Sequence, residues 1–384
     1  MKTPNNLAEF LSYIEGLHPK PIDLGLERVA EVATRLQCQN FSCPVVTIAG
    51  TNGKGSTVAA LAHIARENDL NTATYTSPHL HCFNERIQVN GQQITDEKLL
   101  EVLQVVERAR GEITLTYFEF TTLAALYYFQ QQKLDLIILE VGMGGRLDAV
   151  NIVDPDISII TNIALDHTQW LGDSLDAIAR EKAGIMHANK PVIIGQPQPA
   201  LQEVAKKVGA QLHFAVESGV KTHLHPNSLA CAIKAAELLK LNINLQSLQN
   251  LTLKGRYEKR VIDGRLHIFD VAHNADAMQN LAERVQTEPH QNLHIVLGML
   301  NDKDIEAAVQ PLHALQPHYY CVSIAGERGL HAEDLARRIN YVGKVSCFDD
   351  IKSARNAAQA AANESDAVLV TGSFYMYDSF CRTF

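Results

Sequence analysis

Between residues 45 and 195 the chain repeatedly breaks into short, uninterrupted apolar runs: VVTIAG (45–50), LDLIILEVG (134–142), DISIITNIA (156–164) and KPVIIG (190–195). Runs of this length, apolar on every position and rich in β-branched residues, suit strands buried on both faces of a mostly parallel sheet. Segments with helical spacing of apolar positions lie between them, at 57–67, 96–110 and 120–132. The alternation of strand and helix implies a doubly wound α/β sheet.

From about residue 221 the pattern changes. KTHLHPNS leads into a predicted helix (228–240), and NINLQSLQNLTLKGRYEKR has less clear strand content. A second alternation follows, with strands expected in RLHIFDVAHN (265–274), NLHIVLGM (292–299), YYCVSI (319–324) and AVLVTGS (367–373). Helices are expected at 275–287, 302–315, 331–340 and 351–363. The boundary is placed near Gly255, giving a domain over 1–253 and a smaller α/β domain over 254–384, with a ligand expected between them.

At 384 residues the chain exceeds the usual size of a single core, in keeping with two domains. No run approaches the roughly 18 consecutive apolar residues of a membrane span, and MKTPNNLAEFLSYIEG is amphipathic without a signal-peptide core. Seven cysteines without a C-x-x-C pair point to free thiols in a reducing, cytoplasmic setting. A net charge of −9 argues against nucleic acid as the main partner, so an anionic substrate needs a local basic pocket.

The strand at 45–50 runs into GTNGKGST (50–57). A glycine-rich loop between strand and helix lets backbone N–H groups converge on phosphate oxygens, with the positive end of the helix dipole behind them. Lys54 supplies a charge for the outer phosphates, and Ser56 or Thr57 a hydroxyl near a metal. The spacing departs from G-x-x-x-x-G-K-[ST], since two residues separate Gly50 from Gly53 and Gly55 splits the lysine from the serine. The loop is read as an ATP site, the alternative being a tight strand–helix turn.

Glu140 ends the next buried strand, where ligands of open α/β sheets bind, and Asp166 and His167 end the strand after it. Glu140 with His167 could hold a divalent ion against ATP phosphates; the alternatives are an ion pair of Glu140 with Arg146 and a turn histidine. The GMGGRLDA stretch offers Arg146 and Asp148, or simply relieves a tight crossing. In TYTSPHLHCFNERI (74–87), Ser77 could reach the metal and Arg86 could clamp a carboxylate or phosphate. His79 and His81 lack a cysteine ligand set and are not read as metal ligands. Lys182 reads by default as an exposed helix lysine paired with Glu181 or a neighbour, the less ordinary alternative being carbamylation. FDVAHNAD places Asp270, His273 and Asn274 at a second strand end, with Asn274 explained by helix capping alone. Arg256 and Ser373 sit at similar junctions.

Taken together, GTNGKGS (50–56), TSPH (76–79), NERI (84–87), YFEFTT (117–122), LEVGMGGRLDA (139–149), TNIALDH (161–167), EKAGI (181–185), GR (255–256), DVAHN (270–274) and TGSFY (371–375) resemble the folylpolyglutamate synthase/dihydrofolate synthase family of the Mur ligase superfamily. The pieces fall in family order over nearly the whole chain. IDLGLER (22–28) is similar to the loop that helps form a dihydropteroate site in bacterial bifunctional members.

The resemblance implies a larger P-loop domain and a smaller C-terminal Rossmann-like domain, joined in an ATP-dependent amide ligase. Its substrates would be L-glutamate with dihydropteroate or reduced folates, with ATP and Mg²⁺ (two ions) and a monomer as the working unit. Gly50, Thr51, Asn52, Gly53, Lys54, Gly55 and Ser56 would hold the triphosphate. Ser77, Glu140 and His167 would ligate Mg²⁺, and Lys182 matches a lysine that is carbamylated in relatives. Asp23, Leu24, Gly25, Arg28, Phe118 and Asp148 fall at the pterin-bearing substrate, Asn227, Arg256 and Asp270 at the nucleotide, and Arg86, His273 and Ser373 at glutamate. Lys54, Glu140, His167, Lys182 and His273 are the catalytic candidates. A monofunctional folylpolyglutamate synthase and a non-ligase ATP-binding switch are the competing readings. Departures from the pattern are Ala275 for a proline, Val150 for a threonine, His225 for a glutamine, and a shorter stretch over about 210–222.

Overall fold

The computed structural model describes residues 4–220, 222–326 and 328–383, so the first three residues of the amphipathic N-terminal stretch and Lys221 of KTHLHPNS lie outside it. The chain divides into two compact units, one of residues 1–221 and 225–249, the other of residues 222–224 and 250–384. The short excursion at 222–224 has no counterpart in the hydrophobic pattern.

Among the described residues, the first unit carries β1 (Val45–Ala49), β2 (Thr72–Tyr75), β3 (Ile87–Val89), β4 (Gln92–Gln93), β5 (Leu136–Glu140), β6 (Ile157–Ile160), β7 (Pro191–Ile194) and β8 (Gln211–Phe214). They form one sheet in the order β4-β3-β2-β5-β1-β6-β7-β8, parallel except at β2–β3 and β3–β4. The four apolar runs read from the sequence are β1, β5, β6 and β7, and β1, β5 and β6 are buried at every position. β3 and β4 were not anticipated. Their Asn90–Gly91 connection has both φ positive (+53° and +75°), the backbone that a two-residue hairpin turn requires.

The crossover from β1 runs over β5 to β2, whereas that from β6 runs the other way to β7. Connections diverging from adjacent parallel strands open a crevice at their carboxyl ends, which here is the junction of Gly50 and Thr161. The helix after β1, Lys54–Glu67, packs on helix Pro226–Leu238 through buried alanines on both. Phe10 and Ile14 of the N-terminal helix Leu7–Glu15 join a core with Val32, Phe120 and Phe129, which seats residues 18–28 beside the body of the sheet.

The second unit holds β9 (Glu258–Ile262), β10 (Arg265–Phe269), β11 (Leu293–Leu297), β12 (His318–Val322), β13 (Val345–Phe348) and β14 (Ala367–Thr371), in the order β13-β12-β11-β14-β10-β9. Among the described strands of this sheet only β9 runs antiparallel, through an Asp263–Gly264 turn with φ of +49° and +77°. The unclear strand content before residue 265 is thus an edge hairpin. Helices Ala275–Gln286, Ile305–His313, Ala332–Arg338 and Ile351–Ala361 lie at the expected places. The fold is α/β throughout, a P-loop unit and a smaller Rossmann-like one. Among the described residues no helix is long and apolar enough to cross a membrane.

Candidate active site

At the end of β1, Gly50 and Gly53 take φ of +148° and +82°. A Cβ on Gly50 would fall 1.8 Å from the Thr161 hydroxyl, and one on Gly53 2.4 Å from the Ser228 hydroxyl. Only glycine fits either place. The loop is braced from β6: Thr51 N–H donates to the Asn162 carbonyl (3.0 Å), Asn52 N–H to Asn162 Oδ1 (2.8 Å), and the Thr161 hydroxyl to the Asn52 carbonyl (2.6 Å). Gly53 caps helix Lys54–Glu67 without a side chain, so the first N–H groups of the helix face outward as an anion cradle, with Gly55 and Ser56 in its first turn. Thr57 is fully buried and its hydroxyl lies 3.0 Å from the Gly53 carbonyl and 3.2 Å from that of Ser228. Of the two hydroxyls considered for a metal, Thr57 is therefore committed to the backbone, leaving Ser56.

Lys54 Nζ folds back over the loop, donating to the carbonyls of Gly50 (3.1 Å) and Thr51 (3.3 Å). Lys182 Nζ reaches the same Gly50 oxygen at 3.0 Å. The expectation of an exposed Lys182 paired with Glu181 is wrong: the residue is 4% exposed, and Glu181 pairs with Arg146 at 2.9 Å. The helix Leu175–Lys182 ends by turning its last side chain inward, under the phosphate loop. Burial, and the Lys54 charge beside it, push the Lys182 amine down to about 7.

The Arg146–Glu181 pair also removes the suggested Glu140–Arg146 ion pair. Glu140 is 5% exposed at the end of β5 and accepts the Ser77 N–H at 3.1 Å, which brings together two of the three expected metal ligands. His167 sits in left-handed backbone (φ +52°) ahead of helix Thr168–Leu171, and its N–H is held by the Asp166 carboxylate (2.9 Å). Among the described residues no three of His, Cys, Asp and Glu form a metal cage. One buried carboxylate held at the Ser77 backbone, on the strand next to the one that leads into the glycine loop, fits a hard divalent ion that keeps water and phosphate oxygens as its other ligands.

Asp148 is 3% exposed and accepts backbone N–H groups from Met143 (2.8 Å) and Val150 (3.0 Å), while burial raises its carboxyl to about 6. It shapes the GMGGR loop. A Cβ on Gly142 would lie 2.5 Å from the Phe118 ring, and one on Gly145 2.9 Å from the Lys182 carbonyl. The glycines there serve a close crossing that places Phe118 against the loop.

Residues 18–28 form a charged knot. Arg28 donates to Asp23 Oδ2 (2.6 Å), to the Asp23 carbonyl (2.8 Å) and to Glu119 Oε1 (3.0 Å). Glu119 is buried and closes a capping box with Thr116. His18, unnoticed in the sequence, bridges Asp23 (3.2 Å) and Thr114 (2.9 Å). Against partial desolvation, which works the other way, the Arg28 and Lys20 charges hold the Asp23 carboxyl below its ordinary value. Leu24 and Gly25 lie within this turn, half-buried. Arg86 is 9% exposed, donates to His79 Nδ1 (2.9 Å) and lies over the rings of Phe83 and Tyr117. His79 Nδ1 is thus spent on Arg86.

Asn227, 8% exposed, donates its amide to the Thr161 carbonyl (2.7 Å), joining its helix to the strand end that braces the loop. In the second unit, Asp270 follows β10 and accepts from Tyr257 N–H and Ala272 N–H (both 2.8 Å), with burial raising its carboxyl. The Arg256 guanidinium lies 4.9 Å from the Phe374 ring centre, and the His273 ring is 5.9 Å from the same ring. His273 Nδ1 lies 2.9 Å from the Val271 carbonyl, which fixes the ring's orientation. Ser373 caps helix Phe374–Cys381, accepting from Tyr375 N–H at 3.2 Å. Arg256, Asp270, His273 and Ser373 thus gather at one end of this sheet.

Family models for the Mur ligase middle domain and for the Mur ligase glutamate ligase domain match residues 48–250 and 255–374. The dihydrofolate synthase/folylpolyglutamate synthase of Escherichia coli is 40% identical over 398 aligned positions, spanning 96% of this chain and 93% of that one. The chain belongs to the dihydrofolate synthase/folylpolyglutamate synthase family of Mur ligases. A Haemophilus influenzae relative of the same name is 35% identical over 99% of this chain and 98% of its own. Among solved structures, E. coli FolC in complex with DHPP and ADP superposes with a TM-score of 0.93 at 38% identity, covering 100% of this chain and 98% of that one. A bifunctional folylpolyglutamate synthase/dihydrofolate synthase with Mn, AMPPNP and L-glutamate bound gives 0.91 at 38% identity, covering 98% of each chain.

For this member of the dihydrofolate synthase/folylpolyglutamate synthase family, the departures from the common motifs are absorbed locally. Ala275 opens helix Ala275–Gln286 behind an Asn274 cap that accepts from Ala277 N–H (3.0 Å), so the turn persists without proline. Val150 is fully buried and keeps its N–H bond to Asp148. His225 caps its helix by accepting the Asn227 N–H through Nδ1 (3.2 Å).

Proposed function

We propose that this chain is an ATP-dependent amide ligase that adds L-glutamate to dihydropteroate, forming dihydrofolate, and further glutamates to reduced folates. The observation that carries the reading is the glycine cradle with Lys54 and Lys182 on one loop carbonyl, in the same unit as the Asp23–Arg28–Glu119 knot. The likeness to relatives solved with nucleotide, DHPP and glutamate supports the same assignment.

A carboxylate acylates poorly because its leaving group would be oxide. Transfer of the γ-phosphoryl group of ATP to that carboxylate breaks the P–O bond to ADP and forms an acyl phosphate. The amine of L-glutamate then attacks the acyl carbon, loses a proton, and expels phosphate. Such transfer is mostly positioning and charge neutralisation. The N–H groups of residues 50–56 bind and align the phosphates, and Lys54 brings its charge to them from its perch on the loop. Asp23 and Arg28 present polar groups to the pterin, with Phe118 offering an aromatic face. His273, oriented through Nδ1, offers Nε2 toward glutamate beside Ser373; Arg86 stands in the first unit as a further carboxylate clamp. Asn227, Arg256 and Asp270 serve the nucleotide.

Glu140, with Ser77 and His167, would hold a divalent ion, which when bound neutralises phosphate charge. The same reading takes a second ion, a monomer and a cytoplasmic setting. It also takes carbamylation of Lys182: burial lets the ammonium shed one proton, and the neutral amine then attacks CO₂ and loses a second, becoming a carbamate anion with two oxygen atoms that can ligate a metal. Purified protein given ATP, Mg²⁺, glutamate and each acceptor should release ADP with both dihydropteroate and a reduced folate. Release with the folate alone makes it a monofunctional folylpolyglutamate synthase, and release with neither defeats the proposal.

A further inference from the structure

In the second unit a buried tyrosine and an arginine lie face to face next to the nucleotide-side residues. Tyr257 follows Arg256 directly, is 3% exposed, and has φ of +48°, while Gly255 before it has φ of +64°. Arg256 is therefore aimed by neighbours on either side in left-handed backbone. Glycine takes that conformation freely, but tyrosine does so only when surroundings over-determine it, and such positions concentrate at functional sites.

The surroundings are specific. Tyr257 N–H donates to Asp270 Oδ2 at 2.8 Å, and its hydroxyl donates to Glu288 Oε1 at 3.0 Å. Lys259 pairs with that same Glu288. Over the ring lies the guanidinium of Arg284, its central carbon 3.6 Å from the ring centre. Arg284 comes from the last turn of helix Ala275–Gln286, and its Nη2 donates to the His223 carbonyl at 2.9 Å, which fixes the guanidinium plane. One flat cation thus presses on the ring whose backbone N–H holds the Asp270 carboxylate.

We propose that Arg284 and Tyr257 are a positioning pair for nucleotide binding: Arg284 clamps Tyr257 in its left-handed conformation and so sets both the direction of Arg256 and the seat of Asp270. This rests on the reading of Arg256 and Asp270 as nucleotide contacts. Neither member of the pair touches the nucleotide itself. An arginine is needed because its planar face stacks on the ring while its edge still donates; a lysine ammonium offers no face.

Steady-state kinetics on the full chain test it, with Arg256→Ala measured alongside. Arg284→Met and Tyr257→Leu should each raise KM for ATP by about tenfold while kcat and KM for glutamate move by less than about twofold. Tyr257→Phe, which keeps the ring, should stay near wild type, and Arg284→Lys should resemble Arg284→Met. The Arg284→Met/Tyr257→Leu double variant should be no worse than either single one, since both remove the same contact. A rise in KM for ATP with Arg256→Ala but not with Arg284→Met or Tyr257→Leu overturns the positioning role and leaves the nucleotide assignment standing. No rise with any of the three overturns both. A role in packing alone would lower the melting temperature without the KM-against-kcat split, and that result also overturns the proposal. Should Arg284→Met fail to fold, the contrast between Tyr257→Leu and Tyr257→Phe decides it.

Discussion

Lys54 and Lys182 bring their ammonium groups onto a single oxygen, the carbonyl of Gly50, at 3.1 and 3.0 Å. Two like charges sharing one acceptor repel each other, and the buried one yields: Lys182 is pushed down to about 7, first by burial and then by Lys54. The structure thus sets a part-buried loop lysine beside a buried one whose proton is weakly held.

Lys54→Ala removes the phosphate-side charge, and turnover should fall by at least about a hundredfold, as when a preorganised electrostatic donor is lost. Near-normal ADP release from a folded Lys54→Ala variant would reject the assigned cradle.

Lys182→Ala should lose turnover on a similar scale, because the amine is the buried partner of Gly50. If the working form is the carbamate, short carboxylic acids added to this variant should restore part of the rate by supplying the missing oxygens. Full activity without additives would remove Lys182 from the site.

Gly53→Ala should weaken ATP binding, for two separable reasons. The new Cβ would lie 2.4 Å from the Ser228 hydroxyl but at an ordinary 3.7 Å from Ser228 Cβ, and φ there is +82°. Adding Ser228→Ala should therefore recover part of the loss, leaving the left-handed strain of roughly 1–2 kcal/mol. Titration calorimetry with ADP reads both steps. Equal affinity in Gly53→Ala and wild type would contradict the cradle geometry.

Arg28→Ala should raise KM for dihydropteroate by about tenfold or more while leaving KM for ATP nearly unchanged. Arg28→Lys should not rescue it, since one ammonium cannot reach the Asp23 carboxylate, the Asp23 carbonyl and Glu119 together as the planar fork does. An unchanged KM for the pterin acceptor would move that site elsewhere.

The second unit should be acid-sensitive. Burial lowers the pKa of His267, His294, His313 and His318, all within residues 250–384. A histidine held below its unfolded value of about 6.5 binds its proton better in the unfolded chain, so stability is full above that pH and falls as pH drops toward the folded values. Thermal melts from pH 8 to 5 should show the transition moving down through this window. His267→Phe should flatten the slope, because His267 is fully buried with Nε2 unpartnered and packs beside the rings of Phe269 and Phe380. A slope identical to wild type would count against its contribution.

The hydrophobic pattern by itself determined the strands that carry the site: β1, β5, β6, β10 and β14 fall where uninterrupted apolar runs place them, and the helices after β1 and β10 where helical spacing does, whereas helices Thr168–Leu171 and Phe374–Cys381 have no counterpart in that pattern. Burial on both faces leaves a strand no other composition, and the phosphate loop was legible because close backbone approach admits only glycine. The edge hairpins do not stand out in the hydrophobic pattern, because edge strands alternate weakly with polar residues, although Asn90–Gly91 and Asp263–Gly264 mark their turns. Glu119 could have been read from its capping box with Thr116. What only the tertiary structure decided is who meets whom. Lys182 reads as a solvent-facing helix residue until the loop at Gly145 and the carbonyl of Gly50 close over it. Glu181 takes Arg146 away from Glu140, His18 finds Asp23, and Arg284 finds Tyr257, each across a sequence gap that no local periodicity encodes. Patterning is a property of neighbours in the chain, whereas burial of a charge and the shift of its proton are properties of neighbours in space.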